Sequence, residues 1–177
     1  MYRDGISVIQ SFARLTHINA ALTFKLCLVL PNISKGLARW MHCQNESPCM
    51  EPEWFETGCV SRKHALMWIM ACHNYMRHRQ QGLKIAGFRY EDFVANPLRN
   101  GQALFRYLDL PEQWAEKALP ALDIDSQRAS PISREALAGK GTWTLSAQDR
   151  IWIDRVCERY GVPSIMEKCV LENTISN

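Results

Sequence analysis

The sequence predicts an α/β chain that is mostly helical, with few strands. Residues 61–80 (SRKHALMWIMACHNYMRHRQ) carry the clearest helical periodicity: Ala65, Trp68, Ile69, Cys72, Tyr75 and Met76 share a stripe. Met67, Met70 and Ala71 widen the stripe almost around the helix, so it packs against something sizeable. Residues 83–90 (LKIAGFRY) alternate between turn signals and read as the one clear strand. A single strand cannot satisfy its own ladder of N–H and C=O groups. Either the sheet it joins comes from elsewhere, or the chain is helical with little sheet at all.

Taken in order, the chain begins with MYRDGISVIQSFARL. Asp4-Gly5 is a turn signal, and residues 6–15 form an amphipathic helix with Ile6, Ile9 and Ala13 on its stripe and Val8, Phe12 and Leu15 beside them. Arg3 therefore sits in the loop feeding a helix N-terminus, where free N–H groups and the helix dipole favour an anion. Residues 20–30 (AALTFKLCLVL) are a buried helix or strand ending at Pro31, and 41–60 are a Cys-, Pro- and Glu-rich loop. Ser61 caps the 61–80 helix and Gln81-Gly82 is its exit. After the strand, Asn96 caps a helix with Pro97 at its first position and Leu98, Leu104, Phe105 and Leu108 on its inner face. Pro111 starts a further short helix (EQWAEKALPAL), and 123–142 read as a mobile polar loop. Ser146 with Asp149 makes a capping-box-like pair for the last helix, whose apolar contacts are Ile151, Ile153, Val156 and Tyr160. Gly161-Val162-Pro163 stops it.

At 177 residues the chain is one domain, and a formal net charge of +3 is too small to argue for nucleic acid. No stretch approaches the roughly 20 apolar residues that span a bilayer. Arg3 and Asp4 stand where the apolar run of a signal peptide would have to build up. Of the seven cysteines, Cys43, Cys49 and Cys59 lie in the 41–60 loop. They read either as a disulfide-bearing loop or as free thiols packed as small hydrophobes. A zinc site from His42, Cys43, Cys49, Cys59 and His64 lacks the usual C-x(2–4)-C pairs. The sequons Asn32-Ile33-Ser34 and Asn45-Glu46-Ser47 point toward a secretory lumen.

Three segments carry a more specific pattern. In the first, Arg3 is followed by Asp4, Gly5 and a hydrophobic helix with Ser11 eight residues after the arginine. A dianionic phosphate suits a planar guanidinium and a neutral hydroxyl donor, and the long arginine side chain can fold back over the roughly 10 Å of helix between them. In the second, GFRYEDFVANPLRNGQALFRYLDLPE, a strand ends in Tyr90-Glu91-Asp92, Asn96-Pro97 begins a helix, and a turn before Pro111 ends it. The third, AGKGTWT, places Lys140-Gly141 after Gly139. In this order the segments resemble the sulfotransferases that use 3′-phosphoadenosine-5′-phosphosulfate (PAPS), from residue 2 to about 160.

The resemblance implies a P-loop-NTPase-like α/β fold, cut short, so that the single partial domain 1–177 is mostly helical with few parallel strands. It implies that Arg3 and Ser11 hold the donor's 3′-phosphate, that Tyr90 lies beside the adenine, and that Lys140 and Gly141 add a contact. Gly139 stands where the family carries an arginine, which leaves that contact incomplete. Glu91 and Asp92 are expected to cap and orient local backbone. The full-length form would transfer a sulfuryl group from PAPS, without a metal, to a hydroxyl acceptor such as a carbohydrate. The loop that holds the 5′-phosphosulfate and the catalytic base are expected upstream of Met1. His64, His73 and His78 on the 61–80 helix and His17 after the first helix read as surface or core polar groups. The compartment is the Golgi lumen if the full-length form is membrane-anchored, otherwise the cytoplasm. The alternative is a helical binding or interaction domain, or a degenerate relative without chemistry.

Overall fold

The computed structural model describes residues 1–17, 52–53, 57, 60–124, 135 and 144–175. Within them the chain forms α1 (Gly5–His17), α2 (Val60–Gln80), α3 (Tyr90–Ala95), α4 (Pro97–Tyr107), α5 (Trp114–Ala118), a 3₁₀ turn (Leu119–Asp123) and α6 (Ala147–Arg159). The described residues are thus mostly helical. The 20–30 segment, both sequons and nearly all of the 41–60 and 123–142 loops lie outside the described residues.

Helix α2 is the spine, packed on one side by α1 and on another by α6. Its Ala65, Leu66 and Ile69 are wholly buried with Ile9 of α1, Ile153 of α6 and Ile165 beyond it. Each large aliphatic side chain so buried stabilises by about 1.5–3 kcal/mol. The expected stripe is largely as read, although Ala71 is exposed while Met70 is buried. Ser146 Oγ accepts the Asp149 N–H at 3.1 Å, so the last helix is capped as its sequence indicates. Asp149 also accepts from Arg62 Nε at 2.7 Å, tying α6 to α2. Ile151, expected inside, is 60 % exposed, because Ile153 and Val156 hold the face that meets α2.

The region after Phe88 departs from its reading. Tyr90 starts a short helix, α3, with Glu91 and Asp92 in its first turn, where carboxylates complement the helix dipole. Asn96 closes α3 through its backbone N–H, which donates to the Asp92 carbonyl at 3.1 Å, and its side chain caps nothing. Pro97 does begin α4, but the buried residues of that helix are Asn100, Gly101 and Ala103. Asn100 Nδ2 donates to the carbonyls of Asp92 (2.8 Å) and Asn96 (3.0 Å), which turns this polar face inward. Leu108, expected on the inner face, is 51 % exposed.

The expected strand 83–90 is reduced to two isolated parallel bridges, Tyr2 with Arg89 and Gly87 with Thr174. Tyr2 donates to the Phe88 carbonyl and accepts from the Tyr90 N–H, both at 2.9 Å. On the other edge, Gly87 donates to the Asn173 carbonyl at 3.1 Å and accepts from the Ile175 N–H at 2.9 Å. No longer ladder forms among the described residues: the chain enters α1 at Gly5 and α3 at Tyr90, directly after the bridge. The Tyr2 hydroxyl and Thr174 Oγ1 lie 2.7 Å apart and close the lacing. Two glycines permit it. A Cβ on Gly87 would lie 2.9 Å from Tyr2 Cε1 and 3.0 Å from Thr174 Oγ1. One on Gly5 would lie 2.9 Å from Ile165 Cγ2 and 3.1 Å from the Trp68 ring.

Candidate functional site

Segments 1–3 and 85–89 run parallel and end on the same side of the molecule, one leading into α1 and the other into α3. Two sequence motifs 87 residues apart therefore deliver Arg3, Asp4, Arg89, Tyr90, Glu91 and Asp92 to one place, with the Asp4 N–H donating to Glu91 Oε1 at 3.2 Å.

Arg89 is the hub. Its side chain is only 7 % exposed, and it donates to both carboxylate oxygens of Asp4, from Nε at 3.0 Å and from Nη2, and to Asp92 from Nη1. Burial works against the guanidinium charge, but the hydrogen bonds and charges of Asp4 and Asp92 outweigh it and raise its pKa above the ordinary arginine value. Asp4 also accepts the Cys169 N–H at 3.2 Å, and Lys168 Nζ lies 3.3 Å from Asp92 Oδ1, which ties the C-terminal segment to the same cluster.

Arg3 stands at the rim. Its guanidinium lies over the Tyr90 ring at 4.7 Å, its Nε is 3.5 Å from Glu91 Oε1, and its carbonyl accepts from the Trp68 indole N–H at 2.9 Å. The Arg3 side chain is 40 % exposed and Tyr90 37 %, so a charged edge and an aromatic face both meet solvent here. Beside them is a cavity of about 440 Å³ bordered by Arg3 and by mostly apolar side chains, among them Phe12, Trp68, Cys72 and Tyr75.

Of the residues singled out from sequence, the fold brings Arg3 and Tyr90 into contact. Ser11 lies about two turns along α1, half-buried, with no hydrogen bond to Arg3. Lys140 and Gly141 lie outside the described residues. Glu91, expected to cap and orient local backbone, instead accepts the N–H of Asp4, 87 residues away, and the start of α3 has no side-chain cap. Sequence reasoning missed Arg89. Its signal was local, a cation directly before Tyr90-Glu91-Asp92, but its main partner, Asp4, is 85 residues away.

The histidines and cysteines sit apart from this cluster. His64 is wholly buried and stacked on Phe12 at 4.9 Å, and burial holds its pKa down to about 4. Cys72, Cys157 and Cys169 are free and buried. A hydrogen bond from Cys72 to Cys169, with burial, pushes the Cys72 thiol up, and burial pushes Cys157 up to about 12, so both are packed as unreactive thiols. His42, Cys43, Cys49 and Cys59 of the considered zinc set and disulfide loop lie outside the described residues. Among the described residues no group of three or more His, Cys, Asp or Glu is placed to hold a metal ion. No described helix is long and apolar enough to cross a membrane. Comparison with protein-family models, curated proteins and solved structures finds no match.

Proposed function

We propose that residues 2 to about 160 form the part of a PAPS-dependent sulfotransferase that grips the 3′-phosphate end of the donor. The observation that carries this reading is the meeting of Arg3 and Tyr90 at the carboxyl ends of two parallel segments. Arg3 supplies a permanent, planar charge whose free edge can hold two phosphate oxygens. Tyr90, partly exposed with Arg3 over its ring, supplies aromatic surface for the adenine. Arg89, Asp4 and Asp92 hold the two segments in register, so the site costs little reorganisation when a ligand arrives. Ser11, half-buried about two turns along α1, is the hydroxyl that the resemblance assigns to the same phosphate.

The full-length enzyme would move a sulfuryl group in line from the donor to an acceptor hydroxyl, a carbohydrate being the favoured class, with a base removing the acceptor proton. Neither that base nor the loop for the 5′-phosphosulfate is assigned a residue in this chain.

A second reading, a helical binding domain without chemistry, draws on a different observation. Glu91 already occupies the start of α1, accepting the Asp4 N–H and lying 3.5 Å from Arg3 Nε, where an anionic ligand would otherwise bind. Calorimetric titration with 3′,5′-adenosine bisphosphate separates the two. The donor-site reading expects saturable binding that Arg3→Ala weakens at least about tenfold, with the fold intact by circular dichroism. Absence of binding to the folded protein, or binding indifferent to Arg3→Ala, overturns it.

A further inference from the structure

The opposite end of the 85–89 segment carries a second cluster of cations. Helix α2 finishes with Arg77, His78 and Arg79 in its last turn. Its exit is closed by the Gly82 N–H donating to the Arg79 carbonyl at 2.9 Å and the Leu83 N–H to the His78 carbonyl at 3.0 Å, with Gly82 at φ +90°. The helix-end carbonyls of His78 and Arg79 are thereby satisfied by backbone N–H groups. Lys84 follows on the exposed turn, Tyr107 stands at the end of α4, and Asn173, whose Nδ2 donates to the Ile85 carbonyl at 2.9 Å, comes from the C-terminal segment.

Between these residues is a cavity of about 430 Å³ bordered by Arg79, Gly82, Lys84, Tyr107 and Asn173, with Leu83 and Ile85 as its apolar wall. Among the described residues no carboxylate lines it, and neither Arg79 nor Lys84 has an ion-pair partner. Nη1 of Arg79 is buried and has no hydrogen-bond acceptor. A buried charged donor without an acceptor is costly, and the same Arg79 side chain borders the cavity, where an anion can meet the accessible part of its guanidinium. The volume exceeds what one tetrahedral oxyanion needs, and the Tyr107 ring and the Leu83–Ile85 wall suit an organic remainder.

We propose that this cavity binds the phosphate group of a small phosphomonoester, with Arg79 and Lys84 as its cationic contacts and Tyr107 beside the organic part. The site is independent of the one at Arg3. Four residue steps of extended chain separate Ile85 from Arg89, about 13 Å, and place the two at opposite ends of the same segment.

The test is a titration of the folded protein with phenyl phosphate and with inorganic phosphate at constant ionic strength, followed by backbone amide shifts in NMR. The proposal expects saturable shifts at Gly82, Lys84 and Asn173, tighter binding of phenyl phosphate than of inorganic phosphate, and no change in Arg3→Ala. Arg79→Gln with Lys84→Gln should weaken binding at least about tenfold, and Lys84→Gln alone, at an exposed position, gives a partial loss in a protein whose core is untouched. Shifts centred on Arg3 and Tyr90, no saturable shift at all, or affinity unchanged in both variants would each overturn it.

Discussion

The two ends of the 85–89 segment handle positive charge in opposite ways. At the carboxyl end Arg3, Arg89 and Lys168 face Asp4, Glu91 and Asp92, and the most buried of them, Arg89, is bonded to two carboxylates. At the other end Arg79 and Lys84 border a cavity that no carboxylate lines among the described residues. Cations that are matched by carboxylates are architecture: they fix where segments lie. Cations left without such partners beside a cavity are available to something that arrives from solution. Arg3, half-exposed and only loosely held by Glu91, belongs partly to both classes.

The largest effect is expected from breaking the matched end. Arg89→Met leaves Asp4 and Asp92 part-buried without their partner and should destabilise by about 3–5 kcal/mol, read from urea unfolding. Adding Asp4→Asn should recover part of the loss, and a purely additive double variant would show that the pair is not coupled.

Next comes a titratable group buried on α2 against Phe12 of α1. The His64 pKa is about 4 in the folded chain and about 6.5 unfolded, so the unfolded chain binds more protons between those values. Stability should therefore fall as the pH drops from about 6.5 to about 4, by up to about 3 kcal/mol, and His64→Leu should flatten that part of the profile. A profile of unchanged slope in the variant would assign the acid loss to the carboxylates of the charged end instead.

A smaller loss is expected where the segment itself is crowded. Gly87→Ala puts a methyl against Tyr2 and Thr174 and should cost about 1–3 kcal/mol in thermal or urea unfolding. The smallest effect belongs to the unmatched end. Lys84→Gln, at an exposed position, should change stability by no more than about 0.5 kcal/mol, and a loss comparable with Arg89→Met would erase the contrast between the ends.

Much of the helical frame was legible because its signals are local. The α2 stripe, the Ser146–Asp149 cap and the Pro97 start each lie within a few residues and depend on backbone geometry alone. The entry of the chain into α1 through Asp4-Gly5 was legible for the same reason, although the need for a residue without Cβ at Gly5 comes from Ile165, far along the chain. What escaped the sequence was set by distant partners. Arg89 looked like the last residues of a strand, and only the fold brings Asp4 to it. Asn100 carries no local signal for burial, yet it faces inward and donates to two carbonyls at the α3–α4 junction. The joining of Arg3 to Tyr90 could be anticipated only through the family resemblance, since no local pattern links residues 87 apart.

The lacing of Tyr2, Gly87 and Thr174 also bears on how the molecule comes to exist. Tyr2 and Thr174 are 172 residues apart in sequence, so their hydrogen bond encloses nearly the whole chain. Contacts of such separation carry the greatest closure entropy and are favoured only once intervening structure has shortened the path. Helices can form and dock on nearby information while the ends remain unlaced. The charged cluster at Arg89 and the basic cavity at Lys84 both draw on the C-terminal segment, through Lys168 and Asn173 respectively. Both clusters therefore depend on closing the two ends of the sequence: without it the Arg89 cluster lacks Lys168 and the basic cavity lacks Asn173.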